Sequence, residues 1–219
     1  MHKTIQNLID IQKKIDSSLK SLTINKVPKI IAVSKTFGMD KISPLIDHGH
    51  LDFGENKVQE AIEKWSDVKS NNANIKLHLI GGLQTNKVKS AVRLFDFIHS
   101  VDSEKLAQKI SNEQQKQKKE LKLFIQVNIG DEQQKSGVDK ASVSNLYSYC
   151  KSLNLNVVGL MCIPPFEKPS EKFFKEMNML NKDLNLNELS MGMSSDYLNA
   201  IKNSATYVRI GSNIFGQRS

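Results

Sequence analysis

The feature that most restricts the fold of this chain is strict alternation. Short runs rich in β-branched, aliphatic and aromatic residues recur at 30–35, 51–54, 76–80, 97–101, 121–129, 157–161, 188–192 and 206–211. Between them lie stretches that read as helices, at about 40–48, 55–65, 85–95, 103–118, 139–153, 170–184 and 195–203. Strands separated by helices cannot pair as hairpins; each crossover makes the neighbours parallel and puts a helix outside the sheet. Eight such units predict an α/β fold, a closed (β/α)8 TIM barrel with short loops. An extra N-terminal helix over 4–20 carries Ile5, Leu8, Ile11, Ile15 and Leu19 on one face. The competing architecture is an open doubly wound sheet, but the first strand is not followed by a glycine-rich dinucleotide fingerprint. No Pro/Gly/Ser linker or composition shift divides the 219 residues, so 1–219 reads as a single domain.

In such a barrel, chemistry gathers at the C-terminal ends of the strands. The first strand delivers Lys35 there, at the rim of a core. A lysine so placed is costly unless its amine is used, paired or solvated, and a partly desolvated amine becomes a nucleophile able to form a Schiff base with an aldehyde. The second strand ends at Glu55-Asn56, and the third contains His78, whose alternation with Leu77 and Leu79 also fits a hydrogen-bonded core histidine. The seventh and eighth strands lead into Gly192-Met193-Ser194 and Arg209-Ile210-Gly211-Ser212. Loops after strands 7 and 8 form the common phosphate seat of this fold, because glycine lets backbone N–H groups approach and serine adds hydroxyl donors. Arg209, directed inward, needs an acceptor: either the ring nitrogen of a bound pyridine or a carboxylate such as Glu55 or Asp196.

Composition removes several function classes. The 31 basic and 23 acidic residues give a net charge of +8, but the basicity is nearly all lysine, with Arg93, Arg209 and Arg218 the three arginines. Scattered lysines predict weak, salt-sensitive adhesion to polyanions rather than a specific nucleic-acid surface. The run Lys116-Gln117-Lys118-Lys119 reads as a solvated helix end. Cys150 and Cys162 have no metal or redox spacing, and His48-Gly49-His50 lacks a third ligand, so no metal is expected. A charged N-terminal segment argues against a secretory signal, and no apolar run approaches membrane-spanning length. A cytoplasmic, monomeric protein is expected.

The residues carry a resemblance over the whole chain. Its blocks are Ala32-Val33-Ser34-Lys35-Thr36; Phe53-Gly54-Glu55-Asn56 with Val58-Gln59-Glu60; and His78-Leu79-Ile80-Gly81 with Leu83-Gln84-Thr85-Asn86-Lys87. They continue with Val127-Asn128-Ile129, Lys135-Ser136-Gly137, Gly159-Leu160-Met161, Leu189-Ser190-Met191-Gly192-Met193-Ser194 with Asp196, and Val208-Arg209-Ile210-Gly211 with Ile214-Phe215-Gly216. In these the chain resembles the pyridoxal phosphate homeostasis protein family, which has the alanine-racemase-like barrel of fold-type III enzymes. The resemblance implies pyridoxal 5'-phosphate as cofactor, held as a Schiff base on Lys35. It implies Ser194, Gly211 and Ser212 as phosphate cradle, Arg209 as partner of the pyridine nitrogen, Asn56 and His78 as pocket lining, and Lys135 as a second lysine aiding transfer. It also implies a role in intracellular vitamin B6 homeostasis, with apo-enzymes as recipients. Lys57 and Gly82 depart from the family pattern, where an aromatic and a proline are common.

Two enzymatic readings compete. A racemase needs a second base on the opposite face of the cofactor. Tyr147, Tyr149, Tyr197 and Tyr207 fall within helix or strand bodies, and with the last strand read at 206–211 of 219 residues the second domain that supplies the base in racemases of this barrel type is not expected. The expectation is therefore a binding protein rather than an enzyme. A Schiff-base aldolase acting on a phosphosugar would use the same lysine and phosphate seat without binding a chromophore.

Overall fold

All eight apolar runs become strands: β1 (Lys29–Val33), β2 (Asp52–Glu55), β3 (Lys76–Leu79), β4 (Phe97–Val101), β5 (Lys122–Val127), β6 (Val157–Cys162), β7 (Glu188–Met193) and β8 (Tyr207–Ile210). A computed structural model describes residues 1–22 and 26–217 of the chain. The strands pair in sequence order, all parallel, and β8 closes on β1, with Ile31 opposite Arg209, to complete a barrel. Around it run α1 (Lys3–Leu22), α2 (Met39–Asp47), α3 (Val58–Asn71), α4 (Val88–Leu94), α5 (Glu104–Gln117), α6 (Val143–Ser152), α7 (Glu171–Asp183), α8 (Tyr197–Lys202) and α9 (Ser212–Phe215).

Period-2 alternation divides the apolar residues into two cores. The larger lies between sheet and helices and contains Ala32, Phe53, Leu77, Leu79, Trp65 and Ile15, each with no exposed surface. The smaller lies inside the barrel, where Ile31, Phe97, Phe124, Met161 and Tyr207 pack together. Lys29 and Lys122, at the starts of β1 and β5, lie 5.7 Å from the ring centroids of Tyr207 and Phe97. Their ammonium groups can reach water while their stems cover the aromatic plug. The N-terminal mouth is thereby packed, and the opposite mouth is left for a ligand.

The N-terminal helix follows its stripe. Leu8, Ile11, Ile15 and Leu19 are buried at helical spacing, each burial contributing about 1.5–3 kcal/mol. Asn7 Nδ2 donates to the Ile214 carbonyl at 2.8 Å, so α1 fastens α9, the helix that follows the last strand. Ser103 caps α5, its hydroxyl accepting from Leu106 N–H at 3.4 Å.

Several boundaries differ from the sequence reading. β1 stops at Val33 rather than Lys35, because Thr36 has φ +67° and turns the chain out of the sheet. α3 begins at Val58, not 55, because Glu55 is still paired in the sheet opposite Leu79. Residues Thr85–Lys87 form a 3-10 turn before α4. In the lysine run at the end of α5, Lys116 and Lys118 are exposed as predicted, whereas Lys119 is half-buried. Lys119 Nζ donates to the Arg93 carbonyl at 2.8 Å, and burial, followed by the charge of Lys69, pulls its pKa down to about 8.

Candidate binding site at the C-terminal mouth of the barrel

One cavity of about 630 Å3 opens at the C-terminal mouth, within the size range of small-molecule sites. Lys35, Asn56, Lys135, Ser194, Arg209, Gly211 and Ser212 all line it. They arrive from β1, β2, β5, β7 and β8 and the loops that follow, so closure of the barrel brings together residues up to 177 positions apart. The same surface includes Gly82, one of the two departures from the family pattern; Lys57, the other, is exposed just before α3.

Lys35 is half-buried in the turn after β1, and that turn is tied down from behind. Ser34 Oγ donates to Glu55 Oε1 at 2.8 Å. The Lys64 ammonium, from α3, donates to the Ser34 carbonyl at 2.9 Å and to both Glu55 and Glu60 at 3.0 Å. Trp65 Nε1 is the third donor to Glu55, at 2.9 Å. Glu60 in turn accepts the Thr36 N–H at 2.6 Å. Burial pushes the Glu60 carboxyl upward, but the Thr36 and Lys64 hydrogen bonds outweigh it and hold its pKa below the ordinary value. A threonine at positive φ is strained and persists where its surroundings over-determine it. Here the Glu60 contact does so, and it sets the direction in which the preceding lysine leaves the strand. Glu55 and Glu60 belong to the quoted sequence blocks; Lys64, which joins them, lies outside those blocks.

Arg209 is buried, and its partners are neither Glu55 nor Asp196. Nη1 donates to Ser190 Oγ and Nη2 to the Cys162 carbonyl, both at 2.8 Å. Burial, the largest influence, moves its pKa below the usual arginine value, yet a guanidinium remains charged and donor-only in a protein. The loops after β7 and β8 are joined directly: Gly211 N–H donates to Ser194 Oγ at 3.3 Å, and Asn213 Nδ2 donates to the Ser194 carbonyl at 2.8 Å. Gly192 makes the first loop possible. Its φ is +88°, and a Cβ there would lie 2.5 Å from the Cβ of Ala200.

The loop after β5 folds back over its own strand. Asn128 N–H donates to the Val138 carbonyl at 3.0 Å, and Val138 N–H donates to the Gln126 carbonyl at 2.8 Å. Lys135 rides on this loop, with Nζ donating to the Pro164 carbonyl at 3.2 Å and paired with Glu132. Asn56 is set by a close approach on the opposite wall: a Cβ at Gly81 would lie 2.4 Å from the Asn56 carbonyl oxygen.

His78 does not line the cavity, which corrects the role that the family resemblance implies for it. It is fully buried inside the barrel, stacked on Phe97 with ring centroids 4.2 Å apart. Its Nε2 lies 2.9 Å from Asp52 Oδ1 and its Nδ1 3.0 Å from His99 Nε2. His99 stacks on Phe124 at 4.3 Å, and its Nδ1 lies 2.8 Å from Ser190 Oγ, which also receives Arg209. The core-histidine reading of the Leu77-His78-Leu79 alternation is the one the geometry supports. His99 and Ser190 carry the same signal, polar residues at inward positions of apolar strands, and sequence reasoning gave neither of them this role. Among the described residues, no group of three or more histidine, cysteine or acidic side chains could hold a metal ion.

Comparison with known proteins gives a consistent result. Residues 10–219 match the family model for the alanine racemase N-terminal domain. The pyridoxal phosphate homeostasis protein of Haemophilus influenzae is 35% identical over 225 residues, covering 97% of this chain and 95% of that protein. The human protein of the same name is 38% identical over 212 residues, covering 87% and 77%. PipY of Synechococcus elongatus PCC7942, solved with PLP bound, superposes with a TM-score of 0.80 at 33% identity, covering 92% of this chain and all of that one.

Proposed function

The chain belongs to the pyridoxal phosphate homeostasis protein family and carries the alanine racemase N-terminal domain, and on that premise we propose that it binds pyridoxal 5'-phosphate at the C-terminal mouth of the barrel and takes part in vitamin B6 homeostasis. The observation that carries this reading is the convergence of an amine, an inward guanidinium and two hydroxyl-and-glycine loops on one cavity. Pyridoxal phosphate, when bound, supplies an aldehyde that amines capture and a conjugated ring that absorbs visible light.

The donor set suits that ligand. Lys35 would hold the aldehyde carbon as a Schiff base, formed with loss of water. Ser194, Gly211 and Ser212 offer hydroxyl and backbone N–H donors to the phosphate. Arg209, a donor that cannot accept, would serve as partner of the ring nitrogen and would leave it unprotonated, which would mute carbanion chemistry. Asn56 lines the opposite wall. Lys135 is a second amine at the rim, and we assign it the hand-over of the aldehyde from Lys35 toward a recipient apo-enzyme. The lining includes none of the four tyrosines and so offers no phenolic base for racemisation, and we read the protein as a monomeric carrier rather than a racemase. Both cysteines are free, and among the described residues no helix is long and apolar enough to cross a membrane, which fits a cytoplasmic setting.

The purified protein is expected to take up pyridoxal phosphate with a visible absorbance band that borohydride abolishes, leaving a mass adduct on the Lys35 peptide. Lys35→Ala removes band and adduct. A protein that stays colourless with excess ligand, or an adduct at another lysine, overturns the assignment. Lys135→Ala is expected to retain the band and slow reconstitution of an apo-enzyme. Amino-acid racemisation that disappears with Lys35→Ala would replace the carrier reading with an enzymatic one.

A further inference from the structure

The barrel interior contains a run of polar groups that ligand contact alone does not explain. Asp52, His78, His99, Ser190 and Arg209 come from β2, β3, β4, β7 and β8, and each is within 3.0 Å of the next. Asp52 stands at the start of β2, near the packed mouth, and Arg209 at the ligand cavity. Polar groups in an aromatic core are costly unless every donor meets an acceptor.

The two ends determine where each proton sits. The Asp52 carboxylate can only accept, so His78 carries its proton on Nε2. A neutral His78 then has an accepting Nδ1, which takes the Nε2 proton of His99. A neutral His99 likewise presents an accepting Nδ1, which takes the Ser190 hydroxyl proton. The Ser190 oxygen keeps a lone pair for Arg209, which can only donate. One arrangement satisfies all four contacts with both rings neutral. Burial, the largest influence on each, holds both histidines below their ordinary pKa; for His78 it outweighs the opposing pull of Asp52, and for His99 the charges of His78 and Arg209 add to it. Phe97 and Phe124 stack on the rings and prevent them from flipping freely.

We propose that Ser190, His99 and His78 are positioning residues: a one-way hydrogen-bond chain from Arg209 to Asp52 that fixes how Arg209 presents its remaining N–H groups to the ring nitrogen of pyridoxal phosphate. The proposal rests on the binding reading above. The chain does not shuttle protons to the ligand, because the guanidinium at its end does not release one. It works as a tether, with the charges confined to its ends and neutral groups between them.

The test begins without ligand. Two-bond 1H–15N spectra of the labelled full-length protein at pH 7 are expected to show His78 and His99 as Nε2–H tautomers. A proton on Nδ1 of either ring, or a doubly protonated ring, overturns the chain. Ser190→Ala then removes the link between His99 and Arg209. Pyridoxal phosphate affinity is expected to fall about tenfold, with the visible band displaced, while His99 loses its single tautomer. Unchanged affinity and band in this variant overturn the positioning role. Failure of the unsubstituted protein to bind pyridoxal phosphate defeats the binding reading and the ligand role of the chain together, whereas the wrong tautomers defeat the chain alone.

Discussion

Lys35 and Arg209 line one cavity but are supported in opposite ways. Behind Lys35 the support is ionic: Glu55, Lys64 and Glu60 bring two carboxylates and an ammonium within 3.0 Å. Behind Arg209 it is neutral, a hydroxyl and two imidazoles, with the nearest charge of the tether at Asp52 beyond them. Location explains the difference. The Lys35 turn packs against α3 on the outside of the barrel, where the side chain of Glu60 is 29% exposed and water can share the load. Arg209 projects into an interior where His78 and His99 have no exposed surface, and a bare charge there would have no solvent to share it. Ionic support suits the wall of the barrel, and neutral relays suit its axis.

The largest expected effect comes from breaking the ionic support. Lys64→Met leaves Glu55, which has no exposed surface, with its two hydrogen-bond donors but without its cation. That change is expected to destabilise the fold by about 3–5 kcal/mol in urea unfolding. Adding Glu55→Leu to it should recover part of the loss. A single variant within 1 kcal/mol of the unsubstituted protein would show that the pair is not a working support.

Acid probes the neutral support next. His78 and His99 are held below 6.5, mainly by burial, so the unfolded chain takes up protons near pH 6.5 that the folded chain refuses. Stability is therefore expected to be level above about pH 6.5 and to decline below it, by about 1.4 kcal/mol for each unit of depression. His50, lowered chiefly by burial, adds the same sign. Asp52 adds loss only in the carboxylate range: burial pushes its pKa up, but the His78 hydrogen bond together with nearby positive charge such as Lys29 outweighs it and holds it below 3.8. Asp52, Asp96, Lys29, His50 and Arg209 are the charged or titratable neighbours that act on the two rings. Stability that rises as the pH falls from 7 to 5 would mean the rings are charged in the folded protein.

The smallest effect isolates the strained residue. Thr36→Gly relieves a positive φ and is expected to shift stability by no more than about 1 kcal/mol in either direction, since glycine also gains freedom in the unfolded chain. Its effect appears in function, as slower capture of pyridoxal phosphate by a looser Lys35. Capture at the unsubstituted rate would show that the turn does not orient the lysine.

Repeating local patterns made the barrel legible from sequence. Period 2 in the strands and a 3.6-residue stripe in α1 are properties of neighbouring residues, and both survive folding almost unchanged. The same holds for the loops after β7 and β8, where glycine beside serine already describes the local geometry. The end of β1 was less legible, because the residue that bends it, Thr36, is held by Glu60 from another element. His78 was harder still, since its neighbours Leu77 and Leu79 give the same pattern for a pocket wall and for a buried core.

By itself, the sequence determined a closed parallel barrel and the amine, arginine, serine and glycine residues found at its C-terminal mouth. Tertiary structure decided what those residues touch. Ser190 and His99 are 91 positions apart, and Arg209 meets Ser190 rather than Glu55 or Asp196 because barrel closure sets the register of β8 against β7 and β1. A side chain's direction is written in its own strand, whereas its partner is a property of every strand between them.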